Sequence, residues 1–187
     1  MNLWLRLLHL LLFRDRRRVE LFATTRVKVR VWPNDLDLNR HVNNGRYLSL
    51  ADLGRIDWFL RTGLLQLALK RRALPVIGDA LAKFRRDLRV FQACEIHSRL
   101  LGWDQRWGFI EHRFVRAGRV LGVVAIRGMF RGPEGSLTPA ELMTALGAQH
   151  ESPPLPEWVR SWNQGTEELS AVLRAEESEG AAARPQA

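Results

Sequence analysis

One segment limits the fold more than any other. Residues 45–65 read as a helix, with Asn43 or Asn44 able to cap its start. Tyr47, Leu48, Leu50, Ala51, Leu53, Ile56, Trp58, Phe59 and Leu60 spread apolar surface over most of its circumference. A helix that is apolar nearly all round has to be enclosed. The flanking sequence offers strands to do it. Residues 24–32 alternate Arg26, Lys28 and Arg30 with Val27, Val29 and Val31, the period-two pattern of a half-buried strand with a basic outer face. After the helix come Leu74–Ile77, a mixed run over 81–91, Glu95–Leu101, Trp107–Val115 and Val120–Phe130. Turn signals at Gly102-Trp103-Asp104, Ala117-Gly118 and Gly132-Pro133 punctuate them and suit an antiparallel meander. The expected class is α+β, with a curved antiparallel sheet wrapped around one long buried helix. An open sheet edge invites a second copy, so a homo-oligomer is expected, a dimer or a dimer of dimers.

The rest of the chain divides around that unit. Residues 1–20 form an apolar and basic N-terminal segment, 21–150 the main domain, 151–175 a Pro-rich linker with a helical appendage at 157–174, and 176–187 an acidic, Ala-rich tail expected to be disordered. Thr138 can cap a short helix over 139–148. Residues 2–13 suit a helix, too short to span a bilayer and without the cleavage site of a secretory signal. Arg14–Arg18 follow it directly, and an apolar helix beside a basic patch makes an anionic membrane surface a candidate partner. The expected location is cytoplasmic, with peripheral attachment to the inner membrane.

The net charge of +9 is not a uniform field. Residues 1–30 carry +6 and residues 70–89 carry +5, whereas 151–187 carry −4. No nucleic-acid-binding motif accompanies the charge, so nucleic acid is not an expected partner. A single cysteine, Cys94, excludes a disulfide scaffold and reads as a buried structural residue. His97 and His112 fall on strand positions and read as surface or sheet residues; no His or Cys spacing supports a metal site, and no glycine-rich phosphate loop or Gly-x-Ser-x-Gly element is present. No metal or cofactor is expected.

The chemistry concentrates in Asn34-Asp35-Leu36-Asp37-Leu38-Asn39-Arg40-His41-Val42-Asn43-Asn44-Gly45-Arg46-Tyr47, a polar loop that leaves a strand and opens the buried helix. Helix N-terminal amides favour negative charge and can polarise a carbonyl placed against them. Asp37 can then attack that carbonyl or activate a water, with Asn39 and His41 orienting water or thioester. Turn and cap chemistry is the competing reading of the same residues. The motif Asp-Leu-Asp-x-Asn-x-His-Val-Asn-Asn-x-x-Tyr resembles the signature of hotdog-fold acyl thioesterases, in particular the 4-hydroxybenzoyl-CoA thioesterase-like branch. The resemblance implies the hotdog fold and thioester hydrolysis, with Asp37 as nucleophile or base. The Asp-x-Asn-x-His element also resembles that of plant acyl-acyl-carrier-protein thioesterases, which implies catalytic roles for Asp37, Asn39 and His41. Leu101-Gly102-Trp103-Asp104, Glu111-x-Arg113-Phe114-Val115 and Pro153-Pro154-Leu155-Pro156 with Trp162-Asn163 are similar to the thioesterase superfamily member 6 type and its bacterial relatives. Arg40 departs from the pattern, standing where most CoA-type members have Gly. Asp79 lies in the general region of a further acidic residue of the plant family and is not assigned that role.

The expected function is that of an acyl-CoA thioesterase acting on fatty acyl-CoA, and the expected partner is an acyl-CoA or acyl-carrier-protein thioester. Asn43, Asn44, Gly45 and Tyr47 are expected to bind it at the helix start. Lys83, Arg85 and Arg86 are expected to meet the CoA phosphates, with Lys83 and Arg85 on one strand face and Arg89 joining them. The alternatives are a carrier-protein thioesterase, and a non-catalytic acyl-CoA- or lipid-binding or membrane-associated protein of the same fold.

Overall fold

The computed structural model describes residues 3–147 and 151–182. By backbone contact they fall into two units that meet at Pro153 and Pro154. The first opens with helix α1 (Leu3–Phe13), strand β1 (Thr25–Arg30) and a single 3-10 turn at Pro33–Asp35. Helices α2 (Asn44–Thr62) and α3 (Leu64–Lys70) follow. The remainder is β2 (Leu74–Phe84), β3 (Ala93–Trp103), β4 (Gly108–Arg116), β5 (Arg119–Gly132), the short β6 (Gly135–Leu137) and helix α4 (Pro139–Ala145). All pairings are antiparallel, in the order β1-β3-β4-β5-β2, with β6 added to β5. The sheet wraps the α2-α3 helix in the hotdog arrangement.

Helix α2 starts where Asn43 accepts the Gly45 N–H at 2.8 Å and stops at Gly63, whose φ of 84° ends the right-handed run. The expected helix to residue 65 is thus two helices, because only a left-handed residue lets the chain turn there. Its inner face buries Tyr47, Leu50, Leu53, Trp58 and Phe59, while Leu48 stays exposed, so α2 is less uniformly enclosed than its composition implied. Gly54 is the point of closest approach to the sheet. A Cβ there would lie 2.3 Å from Ser98 Oγ on β3 and 2.8 Å from Ile96.

Two strand expectations change. Leu74–Ile77 and the start of the 81–91 run are one strand, β2, with a register shift between Ile77 and Asp79. Gly78 sits at that bulge under Trp107, where a Cβ would come within 2.6 Å of the indole. The ladder ends at Phe84, because Arg85 and Arg86 both donate their amides to the Leu121 carbonyl, at 2.9 and 3.0 Å. Residues 85–91 are therefore loop for most of their length, and the alternation that grouped Lys83, Arg85 and Arg89 is broken.

The second unit contains helix α5 (Glu157–Ala182). It continues past the expected end at 174 and through most of the acidic segment expected to be disordered, whose Glu and Ala residues are good helix formers. Residues 183–187 of that segment lie outside the described residues, as do 148–150 at the end of the expected 139–148 helix. Among the described residues, no helix is long and apolar enough to cross a membrane, and no group of His, Cys, Asp and Glu is arranged to hold a metal ion.

Candidate active site

The loop between β1 and α2 is built on a buried carboxylate. Asp35 is fully enclosed, and its Oδ2 accepts the Trp32 N–H at 2.8 Å and the Arg6 guanidinium of α1. Arg46 Nη2 and Nε reach its Oδ1 at 2.8 and 3.1 Å. Burial disfavours the charge, but Arg6, the Trp32 amide and Arg46 together outweigh it and hold the Asp35 carboxyl below its ordinary value. The Asp35 carbonyl in turn accepts the Asn43 N–H at 2.8 Å, which ties the turn to the start of α2. Arg6 is itself only 4% exposed, so α1 packs this side chain on its own domain.

Above this base the chain makes a tight hairpin. Asp37 N–H donates to the His41 carbonyl at 2.9 Å, and Leu36 bridges Val42. Arg40 occupies its corner with φ 61°, the left-handed conformation that glycine takes without strain. The loop thus keeps a glycine-type bend with an arginine in place. Asp37 Oδ1 accepts the Asn39 N–H at 2.9 Å and the His41 N–H at 3.3 Å. One carboxylate oxygen therefore braces the hairpin, as turn chemistry predicts.

The segment after β2 lies against this hairpin. Val42 N–H donates to the Leu88 carbonyl at 2.9 Å, and His41 bridges Arg89. His41 Nε2 lies 3.2 Å from Asp87 Oδ2. Between the two segments is an open cleft of about 380 Å³ lined by Asp37, Asn39, His41, Asn44, Tyr47, Arg85 and Arg86, with Val42, Phe84, Asp87 and Leu88 completing it. Tyr47 is buried at its floor against Phe84 and Phe114, and burial pushes its hydroxyl up to about 12, so it stays protonated.

The cleft thus gathers seven of the ten residues singled out from the sequence. Lys83, Asn43 and Gly45 are not among its lining residues. Lys83 lies within β2, upstream of the break at Phe84 that turns Arg85 and Arg86 into the cleft wall. Gly45 has its amide taken by the Asn43 side chain, and Arg46 N–H goes to the Asn43 carbonyl at 2.9 Å. Asn44, at the first position of α2, is the helix-start residue that borders the cleft. The roles of Asp87 and Asp35 are not legible in the sequence: Asp87 meets His41 across 46 residues and Asp35 meets Arg6 across 29, separations that local patterning does not reach. Asp79 pairs at 2.5 Å with the buried Arg127, whose guanidinium also stacks 4.7 Å from the Trp107 ring, and it lies outside the cleft.

Two further expectations are settled here. Cys94 is buried, and burial raises its thiol to about 12. His112, expected at the surface or in the sheet, is a sheet residue with no exposure, and its Nδ1 lies 2.8 Å from Ser98 Oγ beneath Gly54. A separate apolar cavity of about 60 Å³ near the C-terminal end of α2 offers little for catalysis. Its charged lining residue, Arg55, is engaged with Asp52 at 2.6 Å.

Residues 31–163 match the model of the thioesterase-like superfamily. The chain belongs to that superfamily. Its general chemistry is accordingly the hydrolysis of acyl thioesters. Among similar proteins is the THEM6 protein of Xenopus laevis, 35% identical over 146 residues, which cover 78% of this chain and 70% of that protein. The THEM6 protein of Drosophila melanogaster is 27% identical over 87% of this chain and 83% of its own length. In structure the chain resembles the probable thioesterase YbaW of Escherichia coli, with a TM-score of 0.59 at 23% identity, covering 66% of this chain and 95% of YbaW.

Proposed function

We propose that the protein is an acyl-CoA thioesterase and that the cleft between the 37–41 hairpin and residues 84–88 is its active site. The observation that carries this reading is the shared lining of that cleft: a carboxylate, a histidine, a helix start and two arginines. Asp37 uses Oδ1 to brace its own hairpin and keeps Oδ2 for chemistry. In the proposed step Asp37 takes a proton from a water as the water oxygen bonds to the thioester carbonyl carbon. The C–S bond then breaks, and the CoA sulfur leaves and is protonated at the expense of the Asp37 carboxyl. The Asn44 end of α2 faces the developing oxyanion. Asn39 and His41 orient the water, and Asp87 holds the His41 ring through Nε2. Arg85 and Arg86 meet the phosphates of CoA. Hydrolysis of the same thioester by Asp37 attacking as nucleophile uses the same groups.

A fatty acyl-CoA panel with a thiol-trapping dye tests the reading. Asp37→Asn is expected to lower kcat by about a hundredfold or more while CoA-ester binding persists. Arg85→Ala with Arg86→Ala is expected to raise KM for acyl-CoA and to spare kcat. Full activity in Asp37→Asn overturns the role of Asp37. Tight binding of acyl-CoA without turnover in the wild type favours the non-catalytic reading. Turnover confined to acyl-carrier-protein assigns the substrate to that carrier.

A further inference from the structure

Helix α1 has two unlike faces. Arg6 and Leu10 are buried on the domain, with Leu3 and Leu7 partly covered. Trp4, Leu5, Leu8, Leu11, Leu12 and Phe13 project outward, each at least 41% exposed. Six large apolar side chains on one short helix leave a contiguous patch without a partner on the domain, and such patches mark interaction surfaces.

Positive charge borders this patch along its length. The exposed row of β1 is Arg26, Lys28 and Arg30, about 13 Å from first to last. Helix α1 runs beside that strand. At one end Arg6 Nη2 donates to the Arg30 carbonyl at 3.1 Å. At the other, Phe13 and Arg14 line a shared groove with Arg26. Between them Lys28 and Arg30 line a groove with Arg6 and His9. Arg16, Arg17 and Arg18 follow α1 and are exposed. The nearby acids do not cancel this excess. Asp15 and the buried Asp57 face Arg61 at 3.2 and 3.8 Å, Glu95 lies opposite Lys28 and contacts His97 at 2.9 Å while also feeling Lys28 and Arg26, and Glu20 is exposed after Arg16, Arg17 and Arg18, so the bases outnumber the acids around the patch.

We propose that the outer face of α1 and the basic row of β1 form one docking surface for an anionic lipid bilayer. Over the described residues the helix is about 16 Å long, half the hydrocarbon thickness, a length that suits lying in the interface. Its apolar side chains enter the acyl boundary, and the flanking arginines and lysine meet lipid phosphates. A second copy offering the same face would set base against base, which selects the bilayer over self-association. Nucleic acid would match the charge and leave the six apolar side chains in water.

Vesicle co-sedimentation of the full chain tests this, with phosphatidylcholine vesicles compared against phosphatidylcholine and phosphatidylglycerol at roughly two to one. The wild type is expected to bind the mixed vesicles about tenfold or more tightly than the neutral ones, and to lose most of that preference at high salt. Leu8→Glu with Leu12→Glu, both at exposed positions, is expected to weaken binding to mixed vesicles about tenfold or more without changing the melting temperature. Lys28→Glu with Arg30→Glu is expected to abolish the preference for the anionic lipid. Equal binding to both vesicle types overturns the proposal, as does binding that survives both variants. A fall in molecular mass in Leu8→Glu with Leu12→Glu, with vesicle binding retained, assigns the face to a second copy and also overturns it.

Discussion

His112 shows how one residue couples the packing to pH. It projects from β4 toward Ser98 of β3, its register partner, and α2 crosses directly above at Gly54. Burial, aided by the nearby Arg55 charge, lowers the ring from its ordinary 6.5 to about 3. The folded protein therefore holds His112 neutral, whereas the unfolded chain takes up a proton below about pH 6.5. Unfolding binds the additional proton, so this site contributes full stability above that pH and loses it as pH falls toward 3. At pH 4.5 the loss is about 2–3 kcal/mol at one site, from two pH units at 1.36 kcal/mol each. Urea unfolding at pH 7 and pH 4.5 should show it, and His112→Gln, which can still bond Ser98, should show a smaller drop between the two. Equal drops in both proteins would mean that another group governs the acid limb.

Between elements, the link with most consequence joins α1 to the loop that carries Asp37. Arg6 and Asp35 are both buried, and Asp35 lies two residues before Asp37. Removing one member of a buried pair leaves the other charge desolvated, at a cost of several kcal/mol when nothing else serves it. Asp35 keeps Arg46 and the Trp32 amide, so Arg6→Met is expected to cost about 2 kcal/mol. The double variant with Asp35→Asn should cost less than the two single variants added, by about 1 kcal/mol or more in urea unfolding. Strict additivity would show that the pair does not hold helix to loop. This link was hidden from the sequence. The apolar run of residues 2–13 reads as a helix, but no local pattern pairs its Arg6 with Asp35, 29 residues further on. By contrast, β1 and the meander followed from alternation and turn residues, and the motif from Asp37 to Tyr47 pointed directly to the cleft. Local patterning failed where a long-range contact decided the structure: the stop of β2 at Phe84 depends on the Leu121 carbonyl, and His41 meets Asp87 only because Val42 pairs with Leu88.

For the whole molecule, assembly turns on the outer edge of β2. This strand pairs with β5 on one side and ends the sheet on the other. Leu74, Val76, Ile77 and Phe84 are each at least 41% exposed along it. A long strand edge with exposed apolar side chains is a template for pairing with another chain, and only Pro75, Asp79 and Lys83 interrupt it here. A second copy joined antiparallel through β2 would be isologous, would continue the sheet across both protomers and would cover these side chains together. The expected mass in light scattering is therefore twice the 21.5 kDa of the chain. Ile77→Lys with Val76→Lys places charge on the edge and is expected to shift the population to single chains, with circular dichroism retaining the sheet signal. The same variant should leave the exposed apolar residues of α1 untouched, so vesicle binding per chain separates the two surfaces. A wild type that runs as a single chain at all concentrations would leave β2 as a solvated edge and remove the dimer from the proposed architecture.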